Sequence, residues 1–426
     1  LTTPETGKRH ENPFFSRDGR ALMFVEKDSA RQHPFVHVMD RTTGDIKPLV
    51  AGDYPRLTGS GHLLVFRQDR VMAMRFDATS LSALSEPVPV LESIHAVPPN
   101  FIPTFDLADN GTLVYLPSTA DDRGVELVWA STDGEVVELP VSGDRLAPWV
   151  PRLSPDETHI LFHRRLASAN DIWSHSLRNA TTTRLTFSPE GRGGVFPVWA
   201  PRGESYVFVE IAGGPGDIHL GTADGARTPE RITENAAAAH PTLAPDGNTI
   251  VFLHCPEPTP TDCDLASTTL DGDAFTILLE TPFSEFSPEL SPDGRWLAYT
   301  SDESGQRELY VRPFPDLTSG RWQISADGGD APLWSKDGAQ LFYVEQSSNQ
   351  LMAVVVSGTD QFTNAAPTPL MDIAPFQVLG GARRARNFDV SNDGARFLMV
   401  KRAPTPDHLV VVLDWMRELE RLVPTD

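Results

Sequence analysis

Ahead of a turn that recurs along the whole chain stands a proline, and the residues beside it carry most of the groups able to do chemistry. They read Asn12, Arg56, Thr104 with Asp106, Arg152, Val198, His240 with Thr242, Glu285 with Glu289, Asp330, and Asn387 with Asp389, while His10 lies three residues before its proline. Residues at one position of a repeat come to one side of whatever the repeat builds. Two chemistries compete for this set. In the first, Arg56, Asp106, Arg152, Glu289 and Asp389 line a polar channel, pair with one another and with water, and offer charge to a ligand. In the second, His10, His240, Glu285, Glu289 and Asp389 converge on a divalent ion, since carboxylate oxygens with imidazole suit calcium or manganese. Such an ion would polarise the oxygen of an ester, lactone or phosphotriester and activate water. No tight ligand spacing supports the second set, so paired charges are the simpler reading.

Other candidates carry less. His163 and His254 follow strand ends, and His175 and His219 fall within strands, where surface or interblade packing accounts for them. His33, His37, His62, His95, His159 and His408 have no acidic or histidine partner at ligand spacing. No Gly-x-Ser-x-Gly elbow presents a serine nucleophile. Asp302-Glu303-Ser304-Gly305 lacks the oxygen spacing of a calcium loop and reads as a hairpin turn. Trp199 and Trp334 share one repeat position just before the turn and read as packing between repeats.

The positioning elements come from the repeat itself. Its clearest copy is Pro288-Glu289-Leu290-Ser291-Pro292-Asp293-Gly294-Arg295-Trp296-Leu297-Ala298-Tyr299. Nine copies align on Gly19, Gly61, Gly111, Glu157, Gly203, Gly247, Gly294, Gly338 and Gly394, spaced 42 to 56 residues apart. Asp-Gly between short apolar runs is a hairpin signal, because Gly accepts a left-handed backbone and Asp can bond its own turn. Alternating runs such as Thr249-Ile250-Val251-Phe252-Leu253 read as strands. With a short strand ahead of the turn and three after it, each unit holds four antiparallel strands. That is the signature of a β-propeller, whose blades bury their faces only against neighbours. The expected fold is all-β: one propeller domain over 1–426, nine units counted, with eight blades or two unequal rings left open. Leu1-Thr2-Thr3 resembles the fourth strand of a unit, so the N-terminus is expected to complete the ninth unit and close the ring. Arg417 to Leu422 reads as a short helix.

The formal net charge of −22 opposes binding to nucleic acid or to an anionic membrane. No apolar run approaches membrane-spanning length. The chain starts partway through a repeat with no signal peptide, and is read as a processed or truncated piece. Its only cysteines, Cys255 and Cys263, flank a short loop between two expected adjacent strands. A disulfide there is favoured over free thiols and suits an oxidising, extracytoplasmic compartment such as a periplasm.

These repeats resemble TolB-type propellers. A closer resemblance is to the propeller region that follows the kinase domain and membrane span in many bacterial Ser/Thr protein kinases. The segments that carry it include Gly61-His62-Leu63-Leu64-Val65-Phe66-Arg67, Asp171-Ile172-Trp173 with Thr183-Arg184-Leu185-Thr186-Phe187, Tyr310-Val311-Arg312-Pro313-Phe314-Pro315, and Val411-Val412-Leu413-Asp414-Trp415. The resemblance implies an extracytoplasmic sensor that binds a peptide, protein or cell-envelope ligand, as part of a larger membrane-anchored kinase or as a free Tol-like protein. It supplies no catalytic residues, and no glycine-rich loop, His-Arg-Asp or Asp-Phe-Gly element is present.

Overall fold

The computed structural model describes residues 2–4, 8–28, 34–67, 70–97, 102–117, 125–139, 149–166, 169–189, 192–211, 216–256, 263–272, 274–358, 361–380, 385–401 and 408–424. All nine expected turns are present, each joining two antiparallel strands. The aligned residue of every turn has positive φ, between 53° at Glu157 and 84° at Gly111. The serine of the repeat holds the turn together. Ser335 Oγ donates to Asp337 Oδ1 at 2.6 Å and accepts from the Gln340 N–H at 2.8 Å. Ser16, Ser154, Ser291 and Ser391 bond their own turns in the same way. The Ser154 hydroxyl, with the hydroxyl and N–H of Thr158, pulls the Asp156 carboxyl down to about 2 against the opposing effect of burial. The aspartates are therefore turn formers.

By its contacts the chain groups into two compact units, 1–123 with 403–426, and 124–402. The first unit holds three of the nine turns. Its sheets are Lys8–Phe15 through Ile46–Ala51, Asp53–Leu57 through Val88–Leu91, and Phe105–Leu107 with Leu113–Tyr115 and Val410–Val412. The expected helix spans Trp415–Leu422 and buries Trp415, Leu419 and then Val423 against Leu64 and Phe66. It is too short to cross a membrane, and no helix among the described residues is long and apolar enough to do so.

The second unit holds the other six turns, each within a group of four antiparallel strands. These begin at Trp149–Leu153, Gly193–Trp199, Ala238–Leu243, Glu285–Leu290, Asp330–Trp334 and Phe388–Val390. Six hydrophobic clusters fill the intervals between them. Leu161 and Ile172 pack on Tyr206 and Phe208, Val207 on Phe252, Leu253 on Tyr299, Val311 on Tyr343, and Phe342 on Phe397. Leu398 and Val400 then return to Ile160 and Phe162, so the succession closes on itself.

The closing strands differ from expectation. Phe388–Val390 and Arg396–Lys401 are completed by Glu126–Ser131 and Val136–Glu138, with Trp129 opposite Leu398. The N-terminus does not supply this strand. Thr2 to Pro4 form none, while Leu1 and Glu5 lie outside the described residues. A strand inserted here must be apolar on both faces. Leu127 and Trp129 face one neighbouring sheet, and Val128 and Ala130 face the other. Thr2-Thr3-Pro4 can do neither, and Pro4 has no N–H to give. The run Leu409–Leu413, expected in the ninth unit, instead pairs through Val410–Val412 with Leu113–Tyr115 of the first.

Cys255 and Cys263 are joined in a disulfide with Cα atoms 4.3 Å apart, both fully buried between the third and fourth sheets of the second unit. Closing so short a loop is worth about 2.5 kcal/mol in the chain-entropy account. Urea unfolding of a Cys255→Ser/Cys263→Ser variant should show a loss of that order, with an unchanged m-value. A second measurement isolates the turn. A Cβ at Gly338 would meet nothing closer than 3.8 Å, so its φ of 72° is the only obstacle. Gly338→Ala should cost roughly 1–2 kcal/mol in the same assay.

Candidate functional site

The innermost strand of each of seven sheets carries a bulge at the recurrent proline. The residue before the proline is left-handed in all seven: Asn12, Tyr54, Val150, Phe196, His240, Ser287 and Ala331, with φ between 44° and 56°. Strand register slips at each of these points, as between Val195 and Val198 or Phe286 and Glu289. A residue before proline ordinarily prefers extended backbone, so each bulge holds a conformation of higher energy that the surrounding sheet must impose. The extra residue re-aims its side chain. In the second unit Val150, Phe196, His240 and Ser287 are turned into a cavity of about 500 Å³.

All six groups of strands in the second unit contribute to this cavity. Phe196, Trp199, Trp334 and several prolines make apolar walls, and Arg152, Arg386, Glu289, Asp389 and Lys336 bring charge. The two tryptophans also tie the sheets together. Trp199 Nε1 donates to the Arg152 carbonyl at 3.0 Å, and Trp334 Nε1 donates to the Glu289 carbonyl at 3.2 Å. They pack between repeats as expected, and an edge of each also faces the cavity.

The charges are unevenly matched. Arg386, only 8% exposed, donates through Nη1 to the Pro332 carbonyl at 2.7 Å and contacts Glu289 Oε2 at 2.9 Å. Asp389 is occupied by backbone, its oxygens accepting from the Leu153 N–H at 2.8 Å and the Val390 N–H at 2.9 Å. Arg152 has no carboxylate contact among the described residues; its Nη1 reaches the carbonyls of Pro151 at 2.8 Å and Arg386 at 3.2 Å. Burial, and then the charge of Arg386, push the Arg152 guanidinium down to about 9, with Asp389 and Glu289 opposing. Burial and Arg152 together push His163 down to about 3, so it is neutral where it meets the Phe196 ring edge-on.

Of the residues read from sequence as a channel lining, Arg152, Glu289 and Asp389 come together here. Arg56 and Asp106 belong to the first unit. Arg56 donates to the Pro55 carbonyl and lies over the Phe14 ring, and Asp106 is exposed, accepting from the Leu107 N–H. The metal set divides between the units. His10 lies in the first unit, bonded to Thr2 and 3.8 Å from Glu26. His240, Glu289 and Asp389 line the cavity, but Glu285 does not. No group of three His, Cys, Asp or Glu disposed to hold a metal ion occurs among the described residues. Sequence reasoning missed Arg386, Phe196 and Ser287. The Phe196-Pro197 and Ser287-Pro288 pairs did mark the bulge positions, whereas Arg386 follows no repeat signal.

Comparison with known proteins returns fold-level likeness. No protein-family model matches the chain, and no curated protein matches it. Among solved structures, a putative TolB from Agrobacterium tumefaciens is 18% identical, with 66% of this chain and 98% of that one covered and a TM-score of 0.47. TolB from Acinetobacter baumannii is 17% identical, covering 72% and 79%, with a TM-score of 0.45. An oligogalacturonate lyase in complex with manganese is 14% identical, covering 73% and 81%, with a TM-score of 0.43.

Glu285 is set apart by its burial. It is 1% exposed, Oε1 accepts from the Thr281 hydroxyl at 2.7 Å, and Oε2 has no partner among the described residues. Burial pushes its carboxyl up to about 8 against the Thr281 bond, with Asp264, Asp302 and Glu303 adding to the rise. Folding thus takes up a proton at neutral pH. A carboxyl raised in the folded state contributes stability below its unfolded value, and that contribution is lost as pH climbs toward 8. Glu285→Gln should therefore raise the urea midpoint at pH 8 and leave it nearly unchanged at pH 4, read from paired unfolding curves.

Proposed function

We propose that the chain is a recognition module that binds a peptide or protein segment in the cavity of its second unit, in an extracytoplasmic compartment. The observation that carries this reading is the make-up of the cavity. Aromatic and proline walls stand on a closed succession of sheets around a small number of buried charges, which is the pattern of a preformed binding site. Rigid walls lower the ordering cost of binding. The disulfide supports the compartment, because such bridges persist where the surroundings are oxidising. A finer form of the reading, in which this segment reports an envelope ligand to a larger membrane-anchored protein, rests on the sequence resemblance alone. The alternative, a metal-dependent hydrolase working from the channel, has less support, since Glu285 is not among the residues that line the cavity.

The test is selection of a phage-displayed library of twelve-residue peptides on the purified protein, with Val198→Trp as the blocked comparison. Val198 lines the cavity and is not fully buried, so a tryptophan there fills the opening. Peptides enriched on the wild type and lost on the blocked variant, at matched melting temperature, are the expected outcome. Equal enrichment on both proteins, or none on either, overturns the reading.

A further inference from the structure

The two guanidiniums of the cavity are incompletely used. Both Arg152 Nε and Arg386 Nε are buried N–H donors without a partner among the described residues. Leaving such a donor unmet is costly, and more so on a charged group. The Arg152 guanidinium donates to the backbone carbonyl of Arg386, and the Arg386 charge acts on it. Their fixed geometry comes from backbone, with Pro151, Pro332 and Arg386 supplying the acceptors. Opposing charge at the lining is limited. Glu289 is engaged by Arg386, Asp389 accepts two backbone N–H groups, and Lys336 adds a third cation. The neighbouring His163 is uncharged. A cationic spot thus survives inside a chain whose formal net charge is −22. Burying two like charges together is unfavourable, and Glu289 contacts only the Arg386 side of the pair. Arginine's planar fork matches the planar, two-oxygen carboxylate.

We propose that Arg152 and Arg386 form an anion subsite in the second unit's cavity that takes a carboxylate group of the bound peptide, an acidic side chain or the C-terminus. This rests on the reading of the cavity as a peptide site and names the chemistry that anchors the peptide. The apolar walls of Phe196, Trp199 and Trp334 then receive the residues flanking that carboxylate. Glu289 acts as an internal competitor, holding Arg386 until the ligand arrives.

The test uses the full chain and three small probes: glutarate, its uncharged isostere glutaramide, and inorganic phosphate. Binding is followed by tryptophan fluorescence and by calorimetry at low salt. Glutarate should bind saturably and at least tenfold more tightly than glutaramide or phosphate. Arg152→Gln should weaken glutarate at least tenfold. Glu289→Gln should tighten it severalfold by freeing Arg386, a gain that a variant damaged in folding cannot produce. Equal binding of glutarate and glutaramide, preference for phosphate, or indifference to both substitutions overturns the subsite. The peptide selection separates the two readings. Cavity-dependent peptides that lack any need for a carboxylate sink the subsite and spare the peptide reading. Glutarate binding through Arg152 with no peptide enriched does the reverse.

Discussion

A single backbone irregularity organises the second unit: the left-handed residue forced immediately ahead of proline in the innermost strands. The proline cannot donate to the ladder, and the residue before it cannot relax to extended backbone without shifting the register. Each bulge therefore pushes one side chain out of the sheet. Because five of the six innermost strands there carry the bulge, Val150, Phe196, His240, Ser287 and Ala331 are displaced in the same sense. Four of them become cavity lining. The energetic cost is spread over the sheets and met by the six apolar clusters that lock each sheet between its neighbours.

The sixth innermost strand is the exception, and it supplies the unusual charges. Phe388–Val390 has no proline and no bulge, and it presents Asp389 itself, with Arg386 and Asn387 just ahead of it. Asn387 accepts the Val150 N–H at 2.7 Å and Asp389 accepts that of Leu153, so this segment stitches the last sheet to the first by side chain to backbone bonds. The same stretch thus closes the succession and brings Arg386 beside Arg152. Structural closure and the cationic spot have one origin, which explains why buried charge is tolerated there.

The turns show a complementary economy. The Ser-Pro-Asp-Gly phrase satisfies its own polar groups within five residues, leaving the strands on either side free to be almost wholly apolar. Ser335, Asp337 and Gln340 illustrate it, followed by the fully buried Leu341 and Phe342. Where the repeat departs from the phrase, another residue compensates. Glu157 stands at a glycine position with φ of 53°, and its carboxylate accepts the Asn392 N–H of the neighbouring turn.

The nine hairpins, the four-strand units, the all-β fold, the disulfide and the terminal helix were readable because each depends on residues close in sequence. Turn dihedrals, alternation and loop length are local properties. The position of Arg152, Glu289 and Asp389 in one cavity was readable too, as a consequence of equal place in a repeat. Three features were decided only by the fold. Strand Glu126–Ser131 completes the last sheet by presenting apolar side chains to both neighbours, a matter of three-dimensional fit. The division into three and six turns leaves no mark in the even spacing. Arg386 meets Arg152 only because the ends of the second unit are brought together, a contact across 234 residues that no local pattern encodes.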